Sequence, residues 1–208
     1  MKIIGLTGGS GSGKGAVSEI LSELNIPSID TDRVYREITA GDSPCLSALA
    51  AEFGDGIIAA DGSLDRRRLS QLVFSGEGAS ERLVKLNEIS HAFILRETES
   101  RLKALSESGY EFAIVDAPVL FESGFDKRCD AIIAVIADRD TRIKRIVERD
   151  CISEDMAEKR INSQLSDDTL KRLCDYIIVN NADFDALKKS VIDTVDKIKL
   201  KYNLKGDK

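Results

Sequence analysis

The sequence has little of the chemistry that binds zinc or builds a disulfide framework. Its 208 residues include one histidine and four cysteines, and no two cysteines lie in a Cys-x-x-Cys spacing. Structural zinc sites need closely spaced Cys and His ligands, so this pattern argues against one. Isolated thiols are typical of a reducing compartment, and we therefore expect a cytoplasmic protein with reduced cysteines.

Long apolar runs and an excess of basic residues are also missing. No stretch approaches the ~20 apolar residues of a membrane span. The apolar N-terminus leads directly into a glycine-rich loop, so we expect no signal peptide. The net charge of −6 gives no overall attraction to nucleic acid or anionic lipid. We therefore expect small-molecule partners, no nucleic acid and no membrane, in a monomer or, alternatively, a small homo-oligomer.

The glycine-rich loop is the most informative feature that is present. Gly8-x4-Gly13-Lys14 follows the apolar run Lys2–Thr7 and precedes a helical pattern. This is the start of a P-loop, in which backbone N–H groups and the following helix N-terminus bind phosphate oxygens while the lysine reaches the terminal phosphates. A glycine-rich turn without a ligand is the alternative. The predicted nucleotide-binding residues are Gly9, Ser10, Gly11, Ser12, Gly13, Lys14, Gly15 and Ala16.

One position departs from the P-loop pattern. The lysine is normally followed by a serine or threonine whose hydroxyl touches Mg²⁺, whereas Lys14 is followed by Gly15. The loop could be inactive, or Mg²⁺ could keep a water at that corner, because this ion dehydrates reluctantly. We prefer the second interpretation and expect ATP with Mg²⁺ as the cofactor pair.

The composition, 42% hydrophobic and 32% charged, fits a globular protein that we interpret as one domain over 1–208. Apolar runs alternate with helical patterns, which predicts an α/β fold with a doubly wound, five-stranded parallel sheet. The predicted strands are Lys2–Thr7, Pro27–Asp30, Phe112–Asp116, Ala131–Ala137 and Tyr176–Asn180. Ligands of such folds bind beyond the carboxyl ends of the strands.

The long helical intervals divide this domain. We assign a nucleotide-binding core to about 1–30, 110–140 and 174–202, a helical substrate-binding insertion to about 32–108, and a helical lid to about 141–173.

Spacings of three and four predict individual helices within these intervals. The predicted helices are Leu46–Phe53, Asp65–Phe74, Leu83–Ile89, Phe93–Leu105 and Asp183–Tyr202. The core face of the last helix is predicted to be Phe184, Leu187, Val191, Val195, Ile198 and Tyr202. We expect residues 206–208 to fray.

Two acidic segments end predicted strands. Asp30 and Asp32 follow the second strand and open a helix. One of them can orient the attacking hydroxyl in phosphoryl transfer, and helix capping is the equally weighted alternative. Asp116 ends the third strand before Pro118, as a Walker B acid does, and such an acid holds Mg²⁺ or its water shell.

Arginines are concentrated in the predicted lid. Arg142, Arg145 and Arg149 are spaced three and four residues apart, so all three project from one helical face. They could close over the phosphates, or they could form a solvated face paired with neighbouring acids. Arg66 lies on a predicted helix, and His91 is the single histidine; neither position by itself indicates catalysis.

These pieces together resemble the dephospho-coenzyme A kinases over nearly the whole chain. The matching segments are Gly5–Lys14, Ile29-Asp-Thr-Asp32, Asp61-Gly-Ser-Leu-Asp-Arg66, Leu86-Asn-Glu-Ile-Ser-His91, Asp116-Ala-Pro-Val-Leu-Phe-Glu122, Arg145-x3-Arg149-Asp150, Arg160-Ile-x2-Gln164 and Asp175-Tyr-Ile-Ile-Val-Asn180. The departures are Gly15-Ala16 for Ser-Thr, Ala92 for proline and Arg142 for glutamine.

The resemblance implies roles for individual residues. Asp32 becomes the base or orienter of the acceptor hydroxyl and a water-mediated metal contact, with Asp116 the second metal residue. Lys14, Arg145 and Arg149 become catalytic, and Asn180 joins the nucleotide site. The implied substrate-binding residues are Asp32, Arg66 and His91.

These observations leave three candidate functions. The first is phosphorylation of the ribose 3′-hydroxyl of dephospho-coenzyme A by ATP, the last step of coenzyme A synthesis. The second is a P-loop kinase of another small acceptor, such as a nucleoside monophosphate. The third, motivated by Gly15, is a nucleotide-binding module without catalysis.

Overall fold

A computed structural model describes residues 1–204. The strands are β1 Lys2–Thr7, β2 Ser28–Asp30, β3 Phe112–Asp116, β4 Ala131–Ile136 and β5 Tyr176–Val179. They form one sheet with the order β2-β3-β1-β4-β5. This confirms the predicted five-stranded parallel α/β sheet, with strand ends that differ from prediction by at most one residue. The expected fraying of 206–208 lies outside the described residues.

Strand β1 occupies the centre of the sheet, between β3 and β4. It pairs in parallel with β3, where Ile4 is opposite Ile114, and with β4, where Ile4 is opposite Ala131. All three residues are buried, as expected for a strand covered on both faces. Burying a side chain such as Ile4 contributes roughly 1.5–3 kcal/mol. The sheet therefore holds the end of β1, and the loop that follows it, in a fixed position.

The helices are named in chain order. They are α1 Lys14–Glu23, α2 Thr31–Ile38, α3 Pro44–Phe53, α4 Arg66–Phe74, α5 Ala79–Glu107, α6 Arg139–Asp150, α7 Glu154–Asn162, α8 Asp167–Leu173 and α9 Phe184–Tyr202.

Helix α5 corrects the prediction of two separate helices over Leu83–Ile89 and Phe93–Leu105. It is continuous for 29 residues. Its sequence contains neither glycine nor proline, which are the residues that break helices. The polar stretch around Ser90 therefore interrupts the apolar spacing without interrupting the backbone.

Helix α9 confirms most of its predicted core face. Leu187, Val191, Val195 and Ile198 are buried, as their spacing requires. Phe184 was predicted to join them, but 49% of it is exposed. It is the first residue of α9, one turn before Leu187, and the prediction that it joins the core face was wrong.

The chain divides into two compact units. One unit consists of Met1–Ile29 together with the chain from Leu105 onward, and the other is Asp30–Ala104. The second unit has its own apolar core, formed by Cys45, Leu46, Leu49, Ile57, Leu64, Leu69 and Val73. The description of the whole chain as one domain stays a prediction. In residues 1–204, no helix is both long enough and apolar enough to cross a membrane.

Candidate active site

The loop between β1 and α1 is shaped by its glycines. Gly13 is the N-cap of α1 with a left-handed φ of 94°, and no side chain caps the helix there. A β-carbon at Gly13 would collide with the amide nitrogen of Asn180. Only glycine therefore fits this position, and the first-turn N–H groups of α1 face the loop without a capping side chain.

Two polar side chains hold backbone carbonyls of the loop. Arg145 donates to the carbonyl oxygen of Gly11 at 3.2 Å and to that of Asn180 at 3.2 Å. Asn180 is 5% exposed, and its Nδ2 donates to the carbonyl oxygen of Ser12 at 2.8 Å. Asn180 was predicted as a nucleotide-site residue and Arg145 as a catalytic residue of the lid, and the structure brings both against the loop.

Ser10, at the tip of the loop, is held through both of its backbone polar groups. Arg142 Nε donates to the Ser10 carbonyl at 2.9 Å, and the Ser10 N–H donates to Gln164 Oε1 at 2.8 Å. Arg142 is 4% exposed and pairs with Asp167 at 3.1 Å. Burial lowers the pKa of the Arg142 guanidinium, and Asp167 opposes that shift. Arg142 therefore belongs to neither alternative of the sequence analysis, since it is buried behind the loop.

These contacts orient the loop for anion binding. A trans peptide places the carbonyl of one residue and the N–H of the next on opposite sides. With the carbonyls of Ser10 and Ser12 bonded to Arg142 and Asn180, the N–H groups of Gly11 and Gly13 point away from those two side chains. Convergent N–H groups at a helix N-terminus bind phosphate.

Lys14 and Asp116 form an ion pair beside the loop. The Lys14 ammonium contacts Asp116 Oδ1, and the Ser18 hydroxyl donates to Asp116 Oδ2 at 2.7 Å. Asp116 is the last residue of β3 and is 5% exposed. A parallel strand therefore delivers its carboxylate to the side of the sheet where α1 begins, as predicted for a Walker B acid.

The donor set here suits Mg²⁺. In residues 1–204, no group of three or more His, Cys, Asp or Glu side chains is arranged to hold a metal ion. Mg²⁺ in phosphoryl-transfer sites is bound by one or two carboxylates, substrate phosphates and waters. Asp116, beside a phosphate-binding loop, matches that requirement.

The two aspartates of the second acidic segment differ in their backbone contacts. Asp30 is the N-cap of α2, and its carboxylate accepts the N–H groups of Asp32 and Arg33 at 2.8 and 3.1 Å. Asp32 lies in the first turn of the same helix and is exposed. The capping role that was open for either aspartate therefore falls to Asp30.

The remaining predicted substrate residues lie with Asp32 in the second unit. Arg66 is the first residue of α4 and donates to Thr39 Oγ1 at 3.2 Å. His91 is half-buried in the middle of α5. Their roles stay predictions.

Arg149 is held away from the loop contacts of its neighbours. It pairs with Asp150 through two nitrogens, at 2.8 and 2.9 Å, and Arg160 contacts the same carboxylate. The hydrogen bond from Arg149 is the main cause that lowers the pKa of Asp150 to about 2. This resembles the solvated, acid-paired alternative, whereas Arg145 contacts the loop.

Three residues beside the loop, Gln164, Glu122 and Ser18, were not predicted as site residues. Gln164 and Glu122 belong to motifs shared with the family. Ser18 carried a local signal, because its spacing of four from Lys14 places both on one helical face. A cleft of about 140 Å³ also borders Gly8 and Gly9, and Glu122 lines it together with Gln164.

Comparison with known proteins adds an independent line of evidence. Residues 2–186 match the family model described as dephospho-CoA kinase. A dephospho-CoA kinase of Carboxydothermus hydrogenoformans is 35% identical over 201 residues, which cover 97% of this chain and 96% of that protein.

Solved structures share the fold. A Thermus thermophilus protein, 25% identical, superposes with a TM-score of 0.80 and covers 95% of this chain and 97% of its own. The dephospho-CoA kinase from Campylobacter jejuni, 24% identical, superposes with a TM-score of 0.71 and covers 97% of this chain and 100% of its own. With a family model matched over most of its length, the chain belongs to the dephospho-CoA kinase family.

Proposed function

We propose that this protein transfers the γ-phosphoryl group of ATP to the ribose 3′-hydroxyl of dephospho-coenzyme A, giving ADP and coenzyme A. The observation that carries the proposal is the phosphate loop. Its carbonyls are held outward by Arg142, Arg145 and Asn180, and its lysine is paired with Asp116. The loop supplies the phosphoryl donor site, and membership of the family supports the named acceptor.

The loop Gly9–Ala16 forms the phosphate site of ATP, with the N–H groups of Gly11 and Gly13 donating to the phosphates, since the Ser10 N–H is already bonded to Gln164. Lys14 exchanges its contact with Asp116 for the terminal phosphates, since its ammonium is a flexible point charge on a long stem. Asn180 and Arg145 support the nucleotide site by holding the loop backbone. Arg145 and Arg149 are proposed to neutralise charge that develops during transfer.

Asp116 would hold Mg²⁺, with Asp32 contacting its water shell. When bound, the ion would supply positive charge that neutralises the phosphates. Asp32 orients the attacking 3′-hydroxyl and accepts its proton as the new P–O bond forms. Arg66 and His91 bind the acceptor, whose phosphates suit an arginine and an imidazole.

Coupled detection of ADP release tests the proposal. The purified protein is given Mg²⁺ and ATP alone, then with dephospho-coenzyme A, and then with AMP as a matched adenine nucleotide lacking the pantetheine arm. We expect release only with dephospho-coenzyme A and a product that carries the new phosphate on the 3′-oxygen by phosphorus NMR. Release with AMP instead would favour the second function, and ATP binding without any release would favour the third.

The remaining proposals concern the oligomeric state and the cellular location of the protein. We propose a cytoplasmic monomer; in the described residues the cysteines are free thiols, which suits a reducing compartment. Light scattering on the eluted protein tests the mass, and fractionation of the source cells tests the location. A dimer mass or a membrane-bound fraction would contradict them.

A further inference from the structure

We infer that Ser18 is a positioning residue for Asp116. It compensates for Gly15, which lacks the hydroxyl that P-loops normally place on Mg²⁺. The inference rests on the proposed function, because it concerns the Mg²⁺-ATP site. Its basis is the pair of contacts on one carboxylate, with Lys14 on Oδ1 and the Ser18 hydroxyl on Oδ2 at 2.7 Å.

The helix makes this contact possible. Residues four apart on a helix lie on the same face, so Ser18 stands one turn beyond Lys14, and both face the end of β3. A hydroxyl has a single proton to donate. The Ser18 hydroxyl lies 3.2 Å from the Lys14 carbonyl and 2.7 Å from Asp116, and the shorter, charge-assisted bond to the carboxylate is the stronger one.

The contact matters most when ATP is bound. Lys14 then moves to the phosphates, and its contact with Asp116 Oδ1 is lost. The bond from Ser18 to Oδ2 stays, because Ser18 lies on α1 and its short side chain does not move with the Lys14 ammonium. It therefore helps to hold the orientation of the carboxylate that would bind Mg²⁺ or its waters.

Gly15 is not required by the fold. A β-carbon built at this position meets nothing within 4 Å, and the residue lies inside helix α1. A serine therefore fits at position 15, where P-loops normally carry the hydroxyl that touches Mg²⁺. Because residue 15 carries no hydroxyl, Asp116 is the metal residue at this corner, and Ser18 orients it.

The test is the Mg²⁺ dependence of ADP binding, measured by titration calorimetry with and without EDTA. Ser18→Ala should raise the Mg²⁺ concentration needed for half-maximal enhancement of ADP affinity about tenfold, the effect of losing one charge-assisted hydrogen bond. ADP affinity in EDTA should stay unchanged. Ser18→Thr keeps the hydroxyl and should behave as wild type.

Two further variants complete the experiment. Ser22→Ala removes an exposed hydroxyl from the same helix and should have no effect. Gly15→Ser in the Ser18→Ala background should restore the Mg²⁺ dependence, because it supplies a hydroxyl directly to the ion. Melting temperatures of all variants report whether α1 is intact.

Three results would overturn the inference. They are an unchanged Mg²⁺ dependence in Ser18→Ala, an equal loss of ADP affinity with and without Mg²⁺, and no rescue by Gly15→Ser. Failure of wild-type protein to bind ADP at all would instead overturn the proposed function. An altered Mg²⁺ dependence without any kinase activity would keep the Ser18 inference and remove the proposed acceptor.

Discussion

The carboxylate of Asp30 accepts the backbone N–H of Asp32 at 2.8 Å. This contact makes Asp30 the cap of helix α2 and places Asp32 one step inside the helix, where its side chain is not the cap. Two aspartates that look equivalent in the sequence therefore have different structural environments, and substitution can separate their roles.

Asp32→Asn should lower kcat by ~10²–10⁴, the usual effect of removing a general base or orienting group. ATP affinity and Tm should change little, because asparagine has nearly the shape of aspartate and the cap at Asp30 stays in place. Steady-state kinetics with dephospho-coenzyme A and thermal denaturation measure both. Activity within a few-fold of wild type would remove the catalytic role from Asp32.

Asp30 supplies the matched control. Asparagine caps a helix about as well as aspartate, so Asp30→Asn should be nearly silent in stability, whereas Asp30→Ala should lose ~0.5–2 kcal/mol. Both should retain more kcat than Asp32→Asn. The reverse order of kcat values would assign the chemistry to Asp30.

Lys14→Ala should lower activity by orders of magnitude and also destabilise the fold. The lysine is paired with a carboxylate whose side chain is only 7% exposed, and breaking a buried pair costs on the order of 3–5 kcal/mol. The double variant Lys14→Ala with Asp116→Asn removes both charges, so it should recover stability without recovering activity. Recovery of turnover in the double variant would contradict a phosphate-contacting role for Lys14.

Arg142→Ala should raise the KM for ATP about tenfold or more, because the Ser10 carbonyl is then no longer held outward; one charge-assisted hydrogen bond is worth ~1.5–3 kcal/mol. Arg139→Ala is the control, since Arg139 is on the same helix but bonds Asn162 and Glu158 at the surface. Equal KM values for the two variants would show that the contact with Ser10 does not shape the loop.

The cysteines should differ in reactivity with iodoacetamide. Burial raises the pKa of Cys129 to about 12 and those of Cys45 and Cys174 to about 11, so at pH 8 only ~10⁻³–10⁻⁴ of these thiols is the reactive thiolate. Cys151 is exposed and should be labelled first, as peptide mass mapping will show.

The pH dependence has a definite sign. Labelling of Cys45, Cys129 and Cys174 should increase as the pH rises toward their pKa values or when the protein unfolds. Cys151→Ser should abolish the fast phase at pH 8. A fast phase that survives in this variant would mean that one of the other thiols is accessible and ionised.

Residue pattern alone predicted the elements whose signals are local. Strands β1, β3 and β4 could be recognised because a strand buried on both faces is apolar at consecutive positions, as in β4, where every residue is buried. The P-loop was also readable, since backbone approach to phosphate demands glycine within a few residues of sequence. Helix α5 was divided in error because apolar spacing weakens near Ser90, while backbone continuity depends on the lack of glycine and proline.

The α/β fold, the phosphate loop and the resemblance to the family could be read from the residues alone, because each depends on patterns among residues that are close together in the chain. The contacts of Arg142, Gln164 and Ser18 became known only from the folded chain. Arg142 and Ser10 are 132 residues apart, yet their atoms meet at 2.9 Å. Likewise, Ser18 and Asp116 are joined across 98 residues at 2.7 Å. Such contacts arise because parallel strands bring segments that are far apart in the sequence to one edge of the sheet. No local spacing of residues encodes this proximity.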